Sequence, residues 1–260
     1  MPFPGFHSVR LSTNEANSHY HGLQLDVNSQ VGHDLFLRAF YTYSKTIDPG
    51  TGSTGGQDLQ NVSNPYLGWR YDVGPGGYDR THNAAVNFIY DIPVFRHSSS
   101  RLVKSTLGGW QLSGIITMES GLPINIGLTG AQGGNGLPNA TNRPDRLGTI
   151  SYPQTVLAGN QKIQYIDPSA FALPAIGAFG NLGHNAARGP GRDNWNLSLF
   201  KSFVFNDERG SRLELRWETF NVWNHTQFNQ VSNNFGSSNF GQFTSAFDPR
   251  VMQLGAKLYF

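Results

Sequence analysis

The sequence predicts an all-β chain: an antiparallel, up-and-down β-barrel wall of about eight strands, with long loops on one side. Three observations predict it. Apolar and polar residues alternate with period two in run after run. Several runs are about twice the usual ~5–6 residues of a soluble strand. The links between runs are by turns short and long.

Composition sets the frame for these runs. Of 260 residues, 14% are charged and 13% aromatic, and 31 are glycine. Such a chain is poor in the Ala, Glu, Lys and Leu that build surface helices and rich in strand and turn formers. A net charge of +2, with basic residues scattered, carries no nucleic-acid footprint. Cysteine is absent, which removes disulfides and thiolate metal sites. No apolar run approaches the ~20 residues of a membrane helix. The opening "MPFPGFHSVRLS" has no charged segment followed by an apolar core, so no signal peptide is expected there.

The expected strands lie near residues 6–14, 19–31, 35–46, 81–93, 109–120, 193–205, 211–223 and 249–260. In the second, Leu23, Leu25 and Val27 alternate with Gln24, Asp26 and Asn28. In the fourth, Ala84, Val86, Phe88, Tyr90 and Ile92 oppose Asn83, Asn87 and Asp91. The fifth sets Trp110, Leu112, Ile116 and Met118 against Gln111, Ser113, Thr117 and Glu119. The seventh sets Leu213, Leu215 and Trp217 against Arg212, Glu214, Arg216 and Glu218. In the last, Met252, Leu254, Ala256, Leu258 and Phe260 share one face, and Gln253, Gly255, Lys257 and Tyr259 the other.

Links 2–3 ("GHD") and 6–7 ("NDERG") are tight, and link 4–5 ("VFRHSSSRLVKSTLG") is intermediate. The links over residues 47–80, 121–192 and 224–248 are long and rich in Gly, Asn and Pro. All the long links therefore fall on one side, the asymmetry of a transmembrane barrel with brief inner turns and extended outer loops. A tilted strand crosses a bilayer in ~9–11 residues, which the run lengths meet. Tyr43 and Trp195 fall at outer strand ends, and Tyr90, Trp110 and Phe260 at inner ends, all on the apolar parity, as interfacial aromatics do. Lys201 is the one charge on that parity of its strand, and is expected near the inner rim with its ammonium extended toward headgroups.

The segments "NSHYHGLQLDVNSQVGHDLFLRAFYTYSKTID", "SGLPINI", "FGNLGHNAARGPGRDNWNLSLFKSF", "LELRWETFNVWNHTQF" and "FDPRVMQLGAKLYF" resemble the C-terminal barrel of Oar-like TonB-dependent outer-membrane transporters. These are large, often acidobacterial proteins with a carboxypeptidase-regulatory-like N-terminal domain. The resemblance spans nearly all of residues 1–260 and implies the C-terminal portion of a barrel that would have about 22 strands and a plugged lumen. Nothing in the chain resembles the plug, the energy-coupling box or the regulatory-like domain. The resemblance implies a fragment of a receptor that takes up an unidentified ligand across the Gram-negative outer membrane. Its partners would be membrane lipid, the barrel assembly machinery, and the remaining barrel and plug. In such proteins the last strand ends in a polar-x-Gly-x-x-apolar-x-aromatic assembly signal, which Gln253, Gly255, Leu258 and Phe260 fill here. An incoming strand edge is readable by β-augmentation.

His19 and His21 lie two apart and share a strand side, but no third ligand is fixed nearby, so no metal is expected. The stripe Arg212, Glu214, Arg216 and Glu218 is expected as a lumen-facing ladder paired with neighbouring strands. No nucleophile, base and orienter share a place, so neither an enzyme nor a cofactor is expected. Two other readings use the same alternation: a complete small eight-stranded barrel serving as adhesin or anchor, and a secreted carbohydrate-binding β-sandwich. The sandwich would bury Leu23, Leu213 and Leu254, whereas either barrel would expose them.

Overall fold

A computed structural model describes residues 16–49, 62–128, 142–159, 162–206 and 210–260. Seven long strands form one antiparallel meander: β1 (His19–Val31), β2 (Leu35–Asp48), β3 (His82–Asp91), β4 (Trp110–Glu119), β5 (Arg192–Asn206), β6 (Ser211–Phe220) and β7 (Val251–Tyr259). Each pairs with the next in chain order, and the two-residue strand Gly74–Pro75 extends the sheet beside the end of β2. The sheet is open: β1 and β7 are its outermost strands among the described residues. The strand expected over residues 6–14 lies outside the described residues.

Two boundaries differ from expectation for local reasons. The sixth long strand stops at Phe220 rather than residue 223, because Asn221 adopts φ 53°, a left-handed conformation that Asn tolerates and a strand does not. The link between β3 and β4 holds α1 (Arg101–Leu107), a helix the alternation did not announce. Ser100 caps it, its side chain accepting from the Val103 amide at 3.5 Å.

Period-two pairing, regular across the long strands save for a shift between Val204 and Asn206, sorts their residues onto two faces. One row runs Leu35, Tyr90, Leu112, Leu199, Trp217, Leu254 across six strands, and all are apolar. The row beside it, on the opposite face, runs Phe36, Ile89, Ser113, Ser198, Glu218, Gln253. A one-residue slip anywhere would exchange the faces, so the pattern fixes the register.

Among the described residues no second sheet packs against the apolar face. Leu23 is 56% exposed and Leu254 85%, values a sandwich interior would not leave. The buried apolar cluster is elsewhere. Ile126, Tyr165, Ile166, Phe171, Leu182 and Phe240 form it with Ala170 and Ala187, and all eight belong to the long loops. Those loops do not simply extend from the rim; they pack into a layer with its own core, stapled by short ladders such as Phe228–Val231 with Phe243–Ala246.

Candidate functional site

The loop layer leans onto the polar face of the sheet at its outer end. At β2, the Ser44 hydroxyl donates to the Arg80 carbonyl at 3.1 Å, and the Asp79 carboxylate accepts from the Thr46 amide at 2.6 Å. At β5, the Asn194 side-chain carbonyl accepts from Gln227 at 3.2 Å, and that of Asn196 accepts from the Asn221 amide at 3.1 Å. Ser44, Thr46, Asn194 and Asn196 all belong to the polar parity. The side chains of Ser44, Asn194 and Asn196, which a membrane barrel keeps off its lipid face, thus help seat the loops, and Thr46 adds its backbone amide.

Two arginines tie the loops to one another. Arg143 is fully buried, and each guanidinium nitrogen has a partner: Nη1 on Asp72 at 2.9 Å, Nη2 on the Tyr71 carbonyl at 2.6 Å, Nε on the Leu182 carbonyl at 2.9 Å. It also stacks 3.9 Å over the Tyr71 ring. A buried ion pair is tolerable when further hydrogen bonds offset its desolvation, and here each nitrogen and each carboxylate oxygen of the pair has one. The second Asp72 oxygen takes the Ser63 amide at 2.8 Å. Arg188 pairs with the buried Asp79 carboxylate and donates to the Asp79 carbonyl at 2.7 Å. Close approach of backbone to backbone requires glycine here: a Cβ on Gly180 would lie 1.9 Å from the Arg143 carbonyl oxygen, and one on Gly121 1.8 Å from that of Gly189.

Burial sets the protonation of this layer. The Tyr165 hydroxyl is pushed up to about 12 by desolvation, with Tyr152 adding to it. Desolvation, and then the nearby Arg143 charge, holds the His184 imidazole below its ordinary value.

A cavity of about 410 Å³ opens where the loop layer meets the outer ends of β4 and β5. Arg80, Glu119 and Arg192 supply its charge, and Phe228 and Phe247 its aromatic wall. Arg80 is paired with Glu119 at 3.1 Å, whereas the Arg192 guanidinium lies 4.2 Å over the Phe247 ring. One fixed pair, one stacked cation and two aromatic rings suit a polar ligand with a flat or apolar portion.

The residues singled out in the sequence occupy five places. Arg212, Glu214, Arg216 and Glu218 line one face of β6, where Arg216 donates to Glu214 at 2.7 Å, Glu218 accepts from Gln253 of β7, and Arg212 stacks 3.9 Å over Tyr259. Tyr43 pairs with His82 at the start of β3, and Trp195, near the start of β5, meets Trp223 edge-on at 5.8 Å. Tyr90 and Trp110 stand at the opposite ends of their strands, on the same face. Gln253, Gly255 and Leu258 lie on the edge strand β7, and Phe260 just beyond it is fully exposed. His19 and His21 stand opposite Ile47 and Lys45 on the apolar face of β1.

Lys201 corrects its expectation in part. It pairs with Trp110, the first residue of β4, close to the inner rim. Its ammonium does not reach outward; it donates to the Gly108 carbonyl at the end of α1 and is only 2% exposed. A helix C-terminus offers unpaired carbonyls to a cation, and an unforeseen helix supplied one here.

The loop clamps were missed by sequence reading. Arg143 and Asp72 are 71 residues apart, and no periodic pattern links such positions. The available signal was compositional: a few arginines set within loops rich in Gly, Asn and Pro.

A family model described as an outer membrane beta barrel domain matches residues 1–253. Searches of curated proteins and of solved structures return no match.

Proposed function

The chain belongs to the outer membrane β-barrel domain family and resides in the outer membrane, and on that premise we propose that it forms part of the wall of a TonB-dependent receptor that takes up an external ligand. The observation that carries this reading is the packed loop layer. It covers the polar face around a cavity of about 410 Å³ while leaving the apolar face bare for lipid. Binding loops held on a rigid wall are a receptor's arrangement, and a simple anchor has no need of them. In this reading the wall performs no catalysis. Arg192, Phe228 and Phe247 contact the ligand, and the Arg212–Glu218 stripe faces the lumen.

The open sheet supports a larger barrel. An unpaired strand edge in hydrocarbon leaves backbone groups unsatisfied at several kcal/mol each. Among the described residues the outer edges of β1 and β7 have no partner strand, and in this reading further strands of a receptor barrel pair with them. Gln253, Gly255, Leu258 and Phe260 present β7 to the assembly machinery as a strand to be augmented.

Uptake tests the reading. Cells carrying the gene or its deletion are given labelled ferric siderophore, maltodextrin and oligopeptide, with and without a protonophore. Accumulation of one of these that requires both the gene and the energised inner membrane is expected. Equal accumulation of all three in the deletion strain contradicts it.

A further inference from the structure

The two ends of the wall are finished differently. At the outer end the loops fold onto the polar face. At the inner end the link between β3 and β4 folds the other way, and two side chains of the apolar face hold it. Trp110 donates its indole N–H to the Thr106 carbonyl at 3.2 Å, and Lys201 donates to the Gly108 carbonyl. Trp110 and Lys201 are register partners on neighbouring strands, with the ammonium 5.8 Å from the indole centroid. Both acceptors belong to the last turn and cap of α1. The helix is thereby fastened to the outside of the wall, over the apolar face.

Its sequence, RLVKSTL, is split to match. At 3.6 residues per turn, Leu102, Val103, Thr106 and Leu107 share one half of the helix, and Lys104 and Ser105 lie on the other. Among the described residues the apolar half is left largely bare: Leu102 is 76% exposed and Leu107 52%, with Val103 half-buried. Val94 and Phe95, just ahead of the helix, are likewise about half exposed. A seven-residue helix with bare leucines is unstable in water by itself, yet this one adjoins a surface that already meets lipid.

We propose that α1 is an interfacial helix: it lies in the headgroup region of the inner leaflet, with Leu102 and Leu107 in the upper acyl chains and Lys104 toward the lipid phosphates. This rests on the membrane reading of the apolar face, with which the helix is continuous through Trp110. Apolar area on one side and a cation on the other are what such a surface selects. Trp110 occupies the amphipathic position an interfacial tryptophan takes. Lys201 is thereby spared as an exposed charge in the lipid band, because the helix end supplies its partner.

The chain has no cysteine, so single nitroxide labels are straightforward. Labels at Leu102, Leu107, Ser105 and the mid-wall Leu199 are introduced into the full chain, reconstituted in phosphatidylethanolamine–phosphatidylglycerol vesicles. Accessibility to oxygen is compared with accessibility to an aqueous nickel chelate. Leu102 and Leu107 are expected to show an oxygen-to-nickel ratio several-fold above that of Ser105. In W110F/K201M, which removes both hydrogen bonds but keeps the ring and the chain bulk, the ratio at Leu102 should fall toward that of Ser105. Water-like values at Leu102 and Leu107 with a lipid-like value at Leu199 overturn the interfacial helix alone. Water-like values at all three overturn the membrane reading with it.

Discussion

The Arg143 guanidinium meets the Asp72 carboxylate at 2.9 Å, both side chains 1% exposed. This contact joins the loop after β2 to the loop after β4. Breaking a buried pair by removing one partner costs about 3–5 kcal/mol, because the other charge stays behind without a counterion. Arg143→Ala should therefore loosen the loop layer and leave the sheet intact. Limited proteolysis is expected to cut within residues 142–191 in the variant and not in the parent. Heat-modifiable mobility on a gel, a property of the barrel, should be unchanged. Equal protease resistance would show that the pair does not hold the loops.

The same layer should respond to pH at both ends. His184 is held below its ordinary 6.5, so the folded layer resists its protonation. Its contribution is fully present above about 6.5 and is lost as pH falls below that value, where the unfolded loop takes up the proton first. Tyr165 runs the opposite way. Its hydroxyl ionises at about 12 in the folded layer against an ordinary 10.0, so stability declines as pH rises from 10 toward 12. Protease protection of residues 142–191 should be greatest between these limits. His184→Gln should remove the acid limb and leave the alkaline one.

The two faces of β5 should differ sharply in their tolerance of charge. Leu199 lies in the apolar row between Leu112 and Trp217, and Ser198 opposes Ser113 and Glu218. An arginine at a lipid-facing position near mid-bilayer costs about 2–4 kcal/mol. Leu199→Arg should sharply reduce the fraction inserted in membranes. Ser198→Arg, beside Glu218, should insert at nearly the parent level. Equal loss in both variants would argue against a two-faced wall.

Assembly should depend on the end of β7 more than its packing does. A Cβ added at Gly255 would meet its nearest neighbour, the Cβ of Arg216, at 3.9 Å, an ordinary contact. Deleting Phe260, or replacing Gly255 by Leu, is therefore expected to leave the strand's pairing with β6 intact while lowering outer-membrane levels of a full-length receptor. Levels equal to those of the parent protein would remove the assembly-signal reading of Gln253, Gly255, Leu258 and Phe260.

The wall was legible in the sequence because its information is local. Leu213, Leu215 and Trp217 announce their face within five residues, and the register then follows from strand to strand. Strand ends were less legible where a single backbone conformation decides them, as at Asn221. Helix α1 carried both a Ser cap and an amphipathic split, but at seven residues it is too short to stand out from a polar link. The loop core was not legible. Ile126, Ile166 and Phe240 come together from two loops whose sequences show no period, and the Arg143 and Arg188 clamps join positions 71 and 109 residues apart. The fate of Lys201 followed from the same gap: its partner lay on a helix that had not been foreseen.

The apolar face of the wall is the central claim, and a scan along β5 tests it most directly. Single cysteines from residue 197 to residue 203 carry a bimane label, and the protein is reconstituted in vesicles with brominated acyl chains. Quenching by bromine should alternate with period two, strong at 197 and 199 and weak at 198, 200 and 202, with 201 shielded beneath α1. Aqueous iodide should give the reverse order. Quenching by bromine that is uniform along the strand, or strongest at 198, 200 and 202, would contradict the account.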